Sequence, residues 1–151
     1  MRKDKQTTVF DSVMLIDDNE IDNFINQKMI EGCCFAQNVF IHTSSRSALE
    51  FLQNLERNHE KIPENMLPGM IFLDINMPIM DGFQFVEQFA NLKASIRDRM
   101  KIVMLSTSIN PNDMIRSEES PYILRFINKP LNEKLLDELA EQSAKLKNKA
   151  S

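Results

Sequence analysis

Four stretches of this chain end in residues that can do chemistry. Asp17–Asp18 follow the apolar run Val13–Ile16, Asp74 follows Met70–Leu73, Ser106–Thr107 follow Ile102–Leu105, and Lys129–Pro130 lie just past Ile123–Ile127. Brought to one place, they would gather three carboxylates, a hydroxyl and an ammonium. Close carboxylates raise one another's pKa unless a cation neutralises them. Hard oxygen ligands without imidazole or thiolate suit Mg²⁺ better than zinc. A carboxylate beside Mg²⁺, a lysine and a hydroxyl can be phosphorylated, and the same groups can hold the charge of the product.

The elements that would position these groups are legible in the hydrophobic pattern. The runs Val13–Ile16, Val39–Ile41, Met70–Leu73 and Ile102–Leu105 read as strands buried on both faces, and Ile123–Ile127, interrupted by Arg125, reads as a fifth. Between them lie stretches with helical spacing. Ile21, Phe24, Ile25 and Met29 predict one apolar face, closed by Gly32. Ala48, Leu49, Phe51, Leu52 and Leu55 predict a second, with Ser44 or Ser45 as N-cap. Phe83, Val86, Phe89 and Ala90 predict a third; a short polar fourth follows Pro111 and stops at Pro121; the fifth carries Leu131, Leu135, Leu139 and Leu146. Strand–helix alternation repeated in this way implies right-handed crossovers and a doubly wound α/β fold on a five-stranded parallel sheet. In such sheets ligands bind beyond the carboxyl ends of the strands, where all the residues named above fall. Residues 1–8 and 148–151 read as polar tails around a single domain at 9–147. Asn58–Gly69, with Pro63 and Pro68, exceeds an ordinary connection and reads as an irregular loop or an extension of the second helix.

Taken together, the motifs resemble those of response-regulator receiver domains. Leu73-Asp74-Ile75-Asn76-Met77-Pro78-Ile79-Met80-Asp81-Gly82 is similar to their phosphoacceptor segment, and Ile16-Asp17-Asp18-Asn19-Glu20 to their acidic pair. Met104-Leu105-Ser106 is similar to the strand that ends in a switch hydroxyl, and Asn128-Lys129-Pro130 to the lysine–proline after the last strand. The resemblance runs from Ser12 to Leu146 and implies a flavodoxin-like (βα)5 fold with strand order 2-1-3-4-5. It further implies that Asp74 accepts a phosphoryl group from a phosphohistidine on a histidine kinase or phosphotransfer protein. Mg²⁺ would be held by Asp18 and Asp74, by the main-chain carbonyl of Asn76, and by Asp17 mostly through water. Lys129 would pair with an oxygen of Asp74 or of the phosphoryl group. Ser106 would act as the switch hydroxyl, with Phe126 in the aromatic switch position.

Three departures from the family pattern stand out. Phe126 lacks a tyrosine hydroxyl, Thr107 replaces a small residue beside the switch, and Asn58–Gly69 is long. The expectation is a stand-alone receiver that is not an enzyme beyond its own phosphoryl transfer and dephosphorylation. It would signal through a downstream partner or a homodimer. The expected surface is formed by the fourth helix, fifth strand and fifth helix, near Met114, Ile115, Tyr122 and Arg125. A degenerate receiver acting as a phosphorylation-independent binding module is opposed by the intact Asp17, Asp18, Asp74, Ser106 and Lys129. A Mg²⁺-dependent phosphatase of the haloacid-dehalogenase type would need a second acid where this chain has Asn76.

Composition excludes other classes. The chain has 151 residues with 18 Lys plus Arg against 22 Asp plus Glu, a formal net charge of −4, which argues against dedicated nucleic-acid binding. The three glycines allow neither a dinucleotide fingerprint nor a P-loop. The apolar run near the N-terminus is far short of the roughly 18 residues of a membrane span, so a cytoplasmic chain is expected. The adjacent Cys33 and Cys34, the ten methionines and His42 read as packing or structural residues, and Lys145, Lys147 and Lys149 as charges that suit a helix C-terminus.

Overall fold

Each of the five apolar runs forms a strand in the computed structural model, which describes residues 8–150; the expected tail at residues 1–7 and Ser151 lie outside the described residues. The strands are β1 (Phe10–Ile16), β2 (Ala36–His42), β3 (Met70–Asp74), β4 (Lys101–Ser106) and β5 (Ile123–Asn128). All pairings are parallel, and the order is β2-β1-β3-β4-β5. Every residue of the central β3 is buried, which is why its sequence is apolar without alternation.

Alternate side chains feed two cores. Met14, Ile16, Ile71, Leu73, Ile102 and Met104 join α2 (Ser45–Arg57) and α3 (Gly82–Phe89) through Leu52, Leu55, Phe85 and Phe89. Val13, Leu15, Met70, Phe72, Val103 and Leu105 join α1 (Glu20–Gly32) and the last helix through Ile30, Leu136 and Leu139. Helices therefore cover both faces, giving the expected flavodoxin-like fold.

A single helical turn, α4 (Ala94–Arg97), precedes β4 and was not foreseen; the expected fourth and fifth helices are accordingly α5 (Pro111–Glu119) and α6 (Glu133–Ala150). The backbone of 148–150, read from the sequence as tail, continues α6, and the side chains of 147–150, with Lys147 and Lys149, lie outside the described residues. Asn58–Gly69 is a loop with two 3-10 turns, His59–Lys61 and Glu64–Met66, pinned by buried Leu67 and by a Glu64–Arg99 ion pair of 2.8 Å. Among the described residues no helix is long and apolar enough to cross a membrane.

One expectation about the helices is reversed. Three of the four residues of the predicted apolar face of α1 are exposed, with Ile21 at 70% and Phe24 at 59% of full accessibility and Ile25 also in solvent, while Met29 packs against the core as expected. The buried positions are Asn23, Asn26 and Ile30. The asparagines are inside because they satisfy main-chain groups of neighbouring loops. Asn23 Nδ2 donates to the Asp17 carbonyl at 2.8 Å, and Asn26 Oδ1 accepts from Leu131 N–H at 3.1 Å.

Candidate functional site

The register of the sheet sets the level at which each strand releases its polar residue. Ile16 pairs with Leu73, so Asp17 and Asp74 come next on adjacent strands. Asp74 pairs with Leu105 and Ser106 with Asn128, which places Ser106 and then Lys129 one step further along the same rim. The ladder continues to this edge, with Asp17 N–H donating to His42 O at 3.1 Å and Lys129 N–H to Ser106 O at 2.8 Å.

The loops are built to approach closely. Asn19 caps α1, its side chain accepting from the N–H groups of Ile21 and Asp22, while its own N–H donates to Asp17 Oδ1 at 2.9 Å. Asp81 caps α3 in a reciprocal box with Gln84. Gly82 opens that helix because nothing larger fits: a Cβ there would lie 2.9 Å from Ile75 Cα and 3.0 Å from Asp74 O. Two residues before Asp81, Ile79 holds a positive φ of 71°, an unusual conformation for a β-branched residue.

Asp17, Asp18 and Asp74 each offer a carboxylate oxygen within 4.8 Å of the others. Asp17 and Asp74 are buried and Asp18 is exposed, so the cluster opens to solvent on the Asp18 side. Lys129, whose side chain is 8% exposed, lies among them with its Nζ 2.7 Å from Asp17 Oδ2, 2.9 Å from Asp22 Oδ2 and 3.4 Å from Asp74 Oδ1. The Lys129–Pro130 peptide is cis.

Burial, followed by the charge of Asp17, pushes the Asp74 carboxyl up to about 6, with Lys129 pulling the other way. Burial alone would lower the Lys129 ammonium, but hydrogen bonds to Asp17 and Asp22 and the charge of Asp74 outweigh it and hold the group above its ordinary value. One ammonium thus meets three carboxylates, with that of Asp18 beside them, and the excess negative charge fits a divalent cation. The donors are carboxylate oxygens, the set that Mg²⁺ prefers.

Other expected residues stand further off. The Ser106 hydroxyl, fully buried, is engaged within its own loop, donating to Ser108 O at 2.6 Å and accepting from Ser108 N–H at 3.2 Å. Asn76 is exposed in the loop after β3. Phe126, paired with Met104, packs half-buried against the α2–α3 core. His42 is structural, as expected, with Nδ1 2.8 Å from Ser47 Oγ and its ring against Phe51.

Asp22 is the residue that sequence reasoning missed. Its only local signal is an acidic side chain in the first turn of the helix that follows Asp17–Asp18.

A family model described as the response regulator receiver domain matches residues 13–141. The chain is 29% identical over 110 residues to the response regulator Rcp1 of Synechocystis, covering 71% of this chain and 69% of that protein. It is 27% identical over 134 residues to the sensor histidine kinase CheAY of Helicobacter pylori, covering 89% of this chain but 15% of the kinase. The structure of a two-component response regulator from Cytophaga hutchinsonii superposes with a TM-score of 0.79 at 28% identity, over 90% of this chain and 98% of that one. Family match, sheet order and the acidic rim agree: this chain belongs to the response regulator receiver domains of two-component phosphorelay systems.

Proposed function

We propose that this receiver, comprising residues 9–147, accepts a phosphoryl group on Asp74 in a Mg²⁺-dependent reaction and signals through a surface that answers that charge. The observation that carries the reading is the position of Asp74, a buried carboxylate flanked by Lys129 and by two further acids at the carboxyl-end rim of the sheet. Asp17, Asp18 and Asp74, with the Asn76 carbonyl, would hold the ion, which supplies positive charge against the phosphoryl oxygens. An Asp74 oxygen attacks phosphorus, a P–O bond forms as the P–N bond to the donor histidine breaks, and the leaving imidazole takes up a proton. The Lys129 ammonium stabilises the transferred oxygens. The Ser106 hydroxyl leaves Ser108 O to donate to one of them, drawing the loop after β4 with it.

The donor would be a histidine kinase or phosphotransfer protein. Five exposed large apolar side chains on the elements that follow the strands of this rim would offer it a docking surface: Ile21, Phe24 and Ile25 on α1, with Ile79 and Ile109 on the loops after β3 and β4. On the output side, Ser117 is the one fully buried residue of α5, so little buried apolar surface resists a shift of this helix against β5 once the loop after β4 moves. The face of α5, β5 and α6 is therefore where a downstream protein or a second copy would read the signal. Met114 and Ile115 are exposed there, and Arg125 bonds Glu138 of α6 at 2.6 Å. A cytoplasmic location fits such partners.

The test is phosphorylation with acetyl phosphate and with a phosphohistidine donor. Wild type should take up hydroxylamine-labile phosphate in the presence of Mg²⁺, Asp74→Asn should take up none, and Asp18→Ala should fold but lose Mg²⁺ affinity. Label that persists in Asp74→Asn would overturn the reading.

A further inference from the structure

Asp22 has no part in the scheme above, yet it takes one of the three places on the Lys129 ammonium. An ammonium carries three N–H donors and no acceptor, so each bond it makes restricts where the others point. Here the two short bonds, 2.7 Å to Asp17 and 2.9 Å to Asp22, lean toward α1. The third partner, Asp74, stays at 3.4 Å, longer than an ordinary charge-assisted hydrogen bond. The partners differ in how easily they can be released. Asp17 is 2% exposed and would be stranded without the lysine, whereas the Asp22 side chain is 29% exposed and can turn to water. A cleft of about 210 Å³ lined by Asp22, Ile25, Asn26, Thr107, Lys129 and Pro130 leaves room for both side chains to move.

We propose that Asp22 is a positioning residue that holds Lys129 toward α1 in the resting protein and releases it when Asp74 carries a phosphoryl group. The inference rests on the reading of Asp74 as phosphoacceptor. A phosphoryl group brings about −1.5 to −2 of charge and new acceptor oxygens, which outbid a single half-solvated carboxylate for the ammonium. Lysine reorients readily on its flexible stem. When it does, the tie between the first turn of α1 and the loop after β5 is lost, so phosphorylation is felt on α1 as well as on α5. By linkage, a bond present only in the resting state opposes the phosphorylated one, and deleting it must favour phosphoryl binding.

The experiment measures the dissociation constant of beryllofluoride, a phosphoryl mimic, with saturating Mg²⁺, from backbone amide shifts of the full chain. Asp22→Asn should bind about 3–10-fold more tightly than wild type, a coupling of ordinary size. Asp22→Ser, which also suits a helix start, should tighten equally. Asp22→Glu, which restores the carboxylate, should return toward wild type. Glu20→Gln removes the same charge from the same turn, where the Glu20 side chain is exposed, and should change binding less than about 2-fold if the effect is specific and not a general field effect. Unchanged binding in both Asp22→Asn and Asp22→Ser, or equal tightening in Glu20→Gln, would overturn the role of Asp22 while leaving the receiver reading intact. Wild type that binds no beryllofluoride, or an Asp74→Asn variant that binds it as wild type does, would overturn the receiver reading and this inference with it.

Discussion

Helices α1 and α2 are both 13 residues long and both contact the edge strand β2, from opposite faces of the sheet, yet they are held in place by different physics. Helix α2 buries Ala48, Leu49, Leu52 and Leu55, with Ser45 of its first turn as its one buried polar residue, so transfer of apolar surface from water anchors it. Helix α1 exposes Ile21, Phe24 and Ile25 and turns Asn23 and Asn26 inward, so much of its attachment is hydrogen bonding to the loops of the acidic rim. The contrast teaches that α2 serves the core and α1 serves the site. The apolar surface that α1 withholds from the core is available to a partner, and the polar groups it contributes fix the loops that carry Asp17 and Lys129.

Three perturbations would break or sharpen this contrast. The largest effect belongs to α2. Leu52→Ala should remove about 2–5 kcal/mol of unfolding free energy in a urea titration, because Leu52 is fully buried. Mg²⁺ affinity of the protein that remains folded should not change; a parallel loss would mean that α2 also supports the site.

The acidic rim should oppose stability where α2 supplies it. The folded Asp74 carboxyl lies at about 6 against 3.8 for an ordinary aspartate, so the native state keeps a proton that the unfolded chain has already released. In metal-free buffer, stability should therefore fall as the pH rises from about 4 to about 6, and the penalty should persist above that range. Asp74→Asn should erase this slope and gain up to about 3 kcal/mol at pH 8. Identical pH profiles for the two proteins would show that the burial of Asp74 carries no such penalty.

The smallest change in stability should come from α1 itself. Asn26→Ala leaves the Leu131 N–H without its partner and should cost about 1–3 kcal/mol. Because Leu131 lies two residues beyond Lys129, the same variant should also weaken beryllofluoride binding. A variant that loses stability with binding intact would reduce α1 to an ordinary structural helix.

What could be read from the sequence divides along the same line. Strands β1, β3 and β4 announce themselves as apolar runs because both faces are covered, and the residues after them lie on one rim because parallel strands end together. The apolar periodicity of α2 and α3 likewise names the face they bury. Helix α1 misleads because periodicity reports which side chains are alike and not which are wanted inside. The partner that makes Asn26 a buried residue is 105 positions away, and the one that gives Asp22 its place is 107 positions away. The single turn Ala94–Arg97 is too short to show a helical period, and its helical state depends on tertiary contacts around buried Ile96.

The register of the four rim-forming strands gives the site a second property. Asp17, Asp74 and Lys129 meet, with Ser106 on the same rim, only when β1, β3, β4 and β5 hold their native registers, including the irregularity between Ile102 and Val103 in the β4–β5 pair, and displacing any strand by one residue would turn its apolar side chains to the opposite face. The acid cluster therefore acts as a checksum of the completed sheet. It assembles from contacts distant in sequence, which form late and slowly during folding. Divalent-ion affinity acquired during refolding should thus report the arrival of the native register itself, later than collapse or helix formation, and a chain trapped with one strand misaligned would be silent as a signal before it was visibly unfolded.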